Sequence, residues 1–142
     1  MKPLSFAFLP ILLLSLSLTA CKYEDGPLIS LSSPAKRVAN VWEVDRATNA
    51  DGDDVSDDFD TWEFTFEEDG TAEVTFDILS FPTTLTGDWN LLDSDQNLQL
   101  LTSDPTGLVT FNEEFVITRL TTKELWLRDV SDSLRTFQLE VK

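Results

Sequence analysis

The sequence predicts an all-β fold, a single domain built as an eight-stranded antiparallel up-and-down barrel, with a two-sheet β-sandwich as the alternative. Three observations lead to this prediction. Apolar and polar residues alternate with the two-residue period of β-strands through most of the chain after residue 40. Short connections rich in Asp, Gly, Ser and Thr separate these stretches. No stretch of about 11 residues or more carries a helical stripe of apolar side chains.

The first 20 residues have the organisation of a signal peptide. Lys2 gives a positive start, a Leu-rich uncharged run extends over Phe6–Leu18, and small residues follow it. The run is too short for a membrane-spanning helix. The motif Leu18-Thr19-Ala20-Cys21 resembles the lipobox of bacterial lipoproteins, which implies cleavage before Cys21 and attachment of lipid, such as palmitate, to its sulfur. An ordinary secretory signal peptide that contains a cysteine is the alternative.

A tether is expected over residues 21–34, between the lipidated cysteine and the domain. Its Gly, Pro and Ser content favours an extended chain. Its apolar residues Leu28, Ile29 and Leu31 are nevertheless able to dock on the domain. Glu24 and Asp25 are similar to acidic residues that, in some bacterial lipoproteins, direct export to the outer face of the outer membrane. We therefore expect a lipid anchor in the outer membrane, on its periplasmic or cell-surface face.

The domain begins with one helical turn and a strand that carries a tryptophan. Ser33 followed by Pro34 is typical of a helix N-cap and first helical position. The segment Asn40–Asp45 then alternates, with Trp42 and Val44 on the inward face.

The clearest element is a β-hairpin between Trp62 and Ile78. Every second residue of Trp62–Glu67 is aromatic, and alternation resumes over Thr71–Ile78. Asp69 and Gly70 supply the turn between the two strands.

Five further alternating segments complete a set of eight strands. A barrel is preferred for them because closure removes the two exposed edges that a sandwich retains. The segments are Gly87–Leu92, Leu98–Leu100, Val109–Leu120, Leu125–Arg128 and Phe137–Val141.

The order of these elements resembles the lipocalin-like domains of bacterial lipoproteins over residues 35–142. The resemblance rests on the helical turn before the strand with Trp42, the hairpin at Asp69-Gly70 and the segment Leu120–Leu125. It departs from the usual Gly-x-Trp opening of lipocalins, because Asn40 stands in place of the glycine. The resemblance implies an eight-stranded barrel whose open mouth holds a small apolar ligand.

The candidate ligand-binding residues are inward-facing aromatic side chains and an apolar segment between two strands. An eight-stranded barrel has room either for its own side chains or for one small molecule, so a filled core is the alternative. The segment from Ile78 to Leu85 is predicted as a loop that lines the mouth or meets a partner, unless it forms two strand ends. The candidates are Trp42, Trp62, Phe64, Phe76, Phe81, Leu85 and Trp89.

Three arginines lie near predicted strand ends. Arg119, Arg128 and Arg135 are able either to bind a ligand carboxylate or to pair with acidic groups of the protein surface.

An acidic stretch between the first two strands has part of the spacing of a calcium loop. Oxygen-bearing side chains occupy positions 1, 3, 5, 9 and 12 of the window Asn49–Asp60. Position 6 lacks the usual glycine and holds Asp54. A solvated connection is the alternative to a Ca²⁺ site. The candidate ligands are Asn49, Asp51, Asp53, Asp57 and Asp60.

The composition argues against catalysis and against nucleic acid. The chain has no histidine and one cysteine, which removes the common nucleophilic triads and His-based zinc sites. No carboxylate pair stands out in the spacing, so we expect no enzyme activity and no required cofactor. A net charge of −16 opposes binding to polyanions. The expected function is binding of a small apolar ligand, with an interaction module that presents barrel loops to an envelope protein as the alternative.

Overall fold

Eight antiparallel strands follow one another around a closed barrel in the computed structural model, which describes residues 23–25, 31–131 and 134–142. Each strand pairs with the next, and the last returns to the first through pairs such as Trp42 with Val141. The predicted barrel is therefore confirmed and the β-sandwich alternative is wrong. The elements are α1 Pro34–Val38, β1 Val41–Thr48, a short 3₁₀ helix Ser56–Phe59, β2 Glu63–Phe66, β3 Thr71–Ile78, β4 Phe81–Leu92, β5 Asn97–Ser103, β6 Thr110–Leu120, β7 Glu124–Asp129 and β8 Thr136–Val141.

The hairpin of β2 and β3 forms as the sequence predicts. Phe64 pairs with Val74 and Phe66 with Ala72, so the apolar sets of both strands share one face. In the turn, the Asp69 carboxylate accepts a hydrogen bond from the amide of Thr71, and Gly70 has φ +92°. Only glycine adopts this conformation without strain, which explains why the turn forms here.

The apolar segment from Ile78 to Leu85 forms two strand ends, so this alternative is confirmed and the loop prediction is wrong. β3 continues to Ile78 and β4 begins at Phe81, with these two residues paired across a two-residue turn. Leu79 and Ser80 make the turn with φ +51° and +68°. The usual Asn-Gly or Asp-Gly signal is missing from this turn, which is why the sequence did not reveal it.

The two ends of the barrel differ, and we name them by what lies there. The helix end holds α1, the connections 67–70, 93–96 and 121–123, and the C-terminus. The loop end holds the connections 49–62, 79–80 and 104–109, and the described residues 130–131 and 134–135 between β7 and β8.

Helix α1 closes the helix end. The Ser33 hydroxyl caps its first turn by accepting from the amide of Lys36, and Pro34 stands at the start, as predicted. The Arg37 guanidinium, which is buried, donates to the carbonyl oxygen of Leu120 on β6. These bonds hold the short helix against the strand ends, because a helix of this length has little stability of its own.

Candidate functional site

The barrel interior is filled largely by aromatic rings. Phe64 and Phe137 lie in the middle, with ring centroids 6.3 Å apart. Phe59, from the 3₁₀ helix, reaches over the loop end and meets the edge of Phe137 at 5.0 Å. Ring contacts at these distances are typical of close-packed aromatic cores. The interior volume that a small ligand would need is therefore occupied in large part by the protein itself.

Two of the predicted ligand-binding tryptophans lie toward the helix end and are buried. The Trp42 indole nitrogen donates to the carbonyl of Val38 at 2.8 Å, and that of Trp89 donates to the carbonyl of Glu67 at 2.8 Å. Both nitrogens thus satisfy main-chain groups at that end of the barrel. Phe64 and Leu85 are buried in the same core, facing Val74 and its neighbours.

Trp62 and Phe76 form the partly exposed aromatic surface of the loop end. Their rings stack with centroids 4.3 Å apart and planes inclined by 12°. Both side chains are half-buried and pack against the core. Together with the exposed Phe81, these two are the predicted ligand-binding residues that remain in reach of a molecule approaching the loop end.

Phe81 is separated from Leu85, with which the sequence grouped it. Leu85 is fully buried, whereas Phe81 is 73% exposed at the start of β4. Phe81 instead joins a set of exposed apolar residues at three hairpin tips of the loop end, which we call the apolar rim. Its members are Ile78, Leu79, Phe81, Leu108, Val130 and Leu134.

The apolar rim contains most of the exposed large hydrophobic side chains of the molecule. Of the eight among the described residues, the two outside the rim are Leu31, before α1, and Leu101, on the wall formed by β5. Single exposed apolar residues are common on proteins, but their concentration at one end marks a surface suited to binding.

A charged cluster lies inside the loop end. Arg135 is within 3.1 Å of the Asp129 carboxylate and 3.5 Å of the Glu113 carboxylate. The Asp129 side chain is completely buried and also accepts from the amide of Ser131. Burial raises the pKa of Glu113, the Asp129 carboxylate raises it further, and Arg135 opposes both effects.

The alternation of the sequence indicates this cluster, but it was missed because its inward-facing residues are charged. Glu113 lies between Phe111 and Phe115 with two-residue spacing, and Asp129 follows Leu125 and Leu127 in the same way. Alternation alone therefore places both carboxylates on the inward face.

The other two arginines pair with acidic groups on the outside. Arg119 lies 2.8 Å from Glu124, and Arg128 lies 3.1 Å from Glu24. All three arginines thus pair with acidic groups of the protein, which is the second of the two roles expected from the sequence. For Arg135 the pairing is inside the barrel and not on its surface.

The predicted calcium segment is exposed and partly ordered by its own hydrogen bonds. The Asn49 side-chain oxygen accepts from the amides of Asp51 and Asp53. Asp57 lies in the 3₁₀ helix, and Asp60 follows it. In residues 23–25, 31–131 and 134–142, no three or more His, Cys, Asp or Glu side chains form a group able to hold a metal ion. Calcium binding here stays a prediction from spacing.

Cys21 and the predicted signal peptide lie outside the described residues, which begin at Tyr23. The Tyr23 side chain is buried, its hydroxyl donates to the carbonyl of Asp95 at 3.0 Å, and the Arg37 guanidinium lies 5.8 Å from its ring. Asp25 is held from both sides, because its amide donates to Thr118 and its carbonyl accepts from Arg119. This part of the predicted tether therefore docks on the barrel, with Tyr23 beside the helix end and Glu24 beside Arg128 on β7, while Leu31 is exposed.

The outer surface of the described residues has depressions. One, of about 160 Å³, is bounded by Asp25, Trp126 and Arg128 among others. Another, of about 460 Å³, lies beside Lys123 and Glu140 at the helix end. None of the predicted ligand-binding residues lines either depression. In the described part of the chain, no helix is both long and apolar enough to span a bilayer.

Comparison with known proteins supports the fold. No protein-family model matches the chain, and no curated protein matches it. A solved lipocalin-like protein from Bacteroides uniformis superposes with a TM-score of 0.56 at 15% identity, over 75% of this chain and 99% of that one. A redesigned β-barrel superposes with a TM-score of 0.52 at 16% identity, over 80% and 99%. At these identities the comparisons show the fold alone, which is a lipocalin-like barrel.

Proposed function

We propose that this chain is a non-catalytic binding protein of the bacterial cell envelope, anchored by lipid at Cys21, whose barrel binds a partner protein through its loop end. The observation that carries the proposal is the apolar rim. Leu79 is 89% exposed and Leu108 is 87% exposed, and they occupy different hairpin tips of the same end. Burial of such a group of apolar residues by a partner lowers the free energy of the complex, because it removes apolar surface from water.

The filled interior favours a protein partner over a small ligand inside the barrel. Phe59 covers the loop end, and the rings of Phe64 and Phe137 occupy the space beneath it. A ligand would have to displace these side chains from close packing, whereas a partner can contact the rim without any rearrangement.

Binding of a small apolar molecule is the second candidate. It is favoured by the Trp62–Phe76 stack, which is half-buried at the loop end and offers a flat aromatic surface. Such a molecule would lie on the stack near the entrance and would not need a deep cavity.

The lipid anchor and the outer-membrane location rest on the N-terminal sequence. The uncharged run before Leu18-Thr19-Ala20-Cys21 and the position of the cysteine support both. Lipid on Cys21 would hold the barrel at the membrane without a membrane-spanning helix.

Photo-crosslinking in cells distinguishes the two candidates. Phe81 is replaced by a photoreactive amino acid, and Leu101, exposed on the wall of β5, is replaced in a matched control. We expect a protein adduct from position 81 and none from position 101. An adduct of only a few hundred daltons at position 81 would instead support the small ligand. Equal adducts at both positions, or none at either, would contradict a binding role for the rim.

A further inference from the structure

We infer that the partner of the loop end is a polypeptide segment that combines apolar with positively charged side chains, and that it is engaged on the side of the barrel turned away from the lipid anchor. The inference rests on the proposed binding role of the loop end. It follows from the charges that surround the apolar rim and from the position of the N-terminal segment.

The apolar rim shares the loop end with a strongly acidic connection. The connection 49–62 contains six aspartates and no basic residue. All six are exposed, and they are Asp51, Asp53, Asp54, Asp57, Asp58 and Asp60. Like charges this dense repel one another, so a positively charged partner would relieve a cost that exists in the free protein.

The acidic connection is held in place against β1. The amide of Val55 donates to the carbonyl of Ala47 at 2.9 Å, and Thr48 forms a β-bridge with Asp54. The side chain of Asn49 orders the first turn by accepting from two amides. The charges are thus fixed near the rim before any partner arrives, which lowers the entropic cost of binding.

Basic side chains near the loop end are already paired. Arg46, on β1, lies 3.8 Å from Asp54, and Arg135 pairs with Asp129 and Glu113 inside the barrel. Arg128, near the loop-end side of β7, lies 3.1 Å from Glu24. The remaining basic residues of the described chain lie at or near the helix end, and they are Lys36, Arg37, Arg119, Lys123 and Lys142. A cationic partner at the loop end therefore meets carboxylates without competing unpaired cations among the described residues.

The geometry argues against a lipid surface as the occupant. Tyr23, which follows the proposed lipid attachment site by two residues, docks beside Asp95 at the helix end. The eight residues of β1, tilted as barrel strands are, separate the two ends by roughly 20 Å. Because that distance exceeds the Debye length of about 8 Å, a membrane surface at the helix end is largely screened from the charges of the loop end. Anionic lipid brought to the loop end itself would be repelled by the aspartates.

A second copy of this chain is also a poor occupant. Two loop ends facing each other would bring two sets of six aspartates together. Like-charge contact of this kind suppresses a wrong partner. An apolar segment with Lys or Arg satisfies both features of the surface at once.

The backbone conformation of two leucines in the apolar rim also supports a partner at the loop end. Leu79 and Leu134 have φ +51° and +45°, which is an unfavourable region for a leucine. Asn or Gly would fit these positions better if the positions were simply turns in water. A partner that buries these leucine side chains would offset the cost of this backbone conformation.

The test measures binding of a short synthetic peptide of alternating Lys and Leu. The full lipidated chain is held in phosphatidylcholine nanodiscs, and empty nanodiscs give the baseline. We expect saturable binding that weakens with added salt. The same peptide with Glu in place of Lys, and one with Ser in place of Leu, should bind at least tenfold more weakly.

Paired variants locate the binding surface. Asp57→Asn with Asp58→Asn should weaken binding about fivefold, whereas Glu67→Gln with Glu68→Gln, the same charge change at the helix end, should change it less than twofold. Leu79→Asn with Phe81→Ser removes two side chains of the apolar rim and should therefore weaken binding about tenfold. Asn fits the turn at position 79, so folding should be retained. The control on the wall is Leu101→Ser, which should have no effect.

Several outcomes would overturn the inference. Equal losses in the loop-end and helix-end variants, equal binding of the Glu peptide, or binding of phosphatidylglycerol vesicles by the loop end in place of the peptide each contradict it. A protein adduct at position 81, with peptide binding that ignores the aspartates, would overturn the charge requirement and leave the proposed function standing. Loss of both adduct and peptide binding would overturn both.

Discussion

The indole nitrogen of Trp42 donates to the carbonyl oxygen of Val38 across the junction of α1 and β1, at 2.8 Å. Both residues are completely buried. The bond joins a helix of only five residues to the barrel wall, so that one side chain both fills the core and closes one end. The lipocalin-like resemblance rests in part on this tryptophan, and the role of Trp42 in the structure is to close the helix end.

Trp42→Phe should therefore destabilise the barrel. The smaller ring leaves a cavity and an unpaired carbonyl, and together these cost about 2–4 kcal/mol. Urea unfolding measures the change. Trp126→Phe is the control, because Trp126 is half-buried on the outside of β7, and it should cost less than about 1 kcal/mol. A loss for Trp42→Phe no larger than that of the control would contradict the assigned role.

Glu113→Gln should raise stability at neutral pH. Burial and the neighbouring Asp129 raise the pKa of Glu113 above its ordinary value of 4.5, so folding favours the protonated form. Stability from this group is present below that ordinary value and is lost as pH rises through the raised pKa. Gln resembles the protonated form and keeps the stability, so we expect Tm to rise by about 1–3 °C at pH 7.

The pH dependence provides the check on Glu113. The difference in Tm between the variant and the original chain should shrink toward zero below pH 4.5. Glu68→Gln removes an exposed carboxylate at the helix end and should show no such trend. A lower Tm for Glu113→Gln at pH 7 would mean that the ion pair with Arg135 outweighs the cost of burial.

Alternation of side chains made most of the fold predictable. The β2–β3 hairpin and the eight-strand count follow from a two-residue period that each strand carries in its own sequence. The turn at Leu79 and Ser80 was missed because its backbone is fixed by the register of the flanking strands and not by turn-forming residues. Tertiary pairing overrides local preference in such turns.

The proposed binding surface was less predictable, because the apolar rim forms only when the barrel closes. Phe81 was singled out from the sequence, but Leu108 and Leu134 lie in other connections and join it only when the strands meet in a ring. Tyr23 was missed for the same reason. A single aromatic in a tether gives no periodic signal, and its contacts with Asp95 and Arg37 are far away in sequence.

Cys21→Ser should release the protein from membranes. Lipid on the Cys21 sulfur is the one anchor proposed, so removing the thiol should move nearly all of the protein to the soluble fraction. Fractionation followed by immunoblotting measures this. The original chain should need detergent for release, and a variant that stays with the membrane in buffer alone would show that the anchor assignment is wrong.

Calcium at the connection Asn49–Asp60 is tested by melting curves. A site there predicts that millimolar Ca²⁺ raises Tm, since a ligand that binds only the folded state stabilises it, and that Mg²⁺ has a smaller effect. Asp51→Asn with Asp53→Asn should remove the shift. An unchanged Tm at saturating Ca²⁺, or the same shift in the variant, would leave the connection as a solvated acidic surface.

Titration of Tyr23 tests the docking of the N-terminal segment on the barrel, on which the proposed orientation of the loop end away from the lipid anchor depends. Burial raises the pKa of Tyr23 from 10.0 to about 12, although the Arg37 charge opposes the shift. Tyr23 is the single tyrosine of the chain, so tyrosinate absorbance reports on this residue alone. Docking should stabilise the protein fully below pH 10, and this contribution should be lost as pH rises toward 12.

Arg119→Ala provides the matched variant for this titration. It removes the hydrogen bond from Arg119 to the carbonyl of Asp25 and should loosen the segment, so the midpoint for Tyr23 should fall toward 10. Arg46→Ala, at the loop end, should leave the midpoint near 12. Tryptophan fluorescence confirms that the barrel stays folded during the titration. A midpoint near 10 in the original chain would mean that Tyr23 is exposed, and the proposed lipid anchor would then no longer fix which end of the barrel faces the membrane.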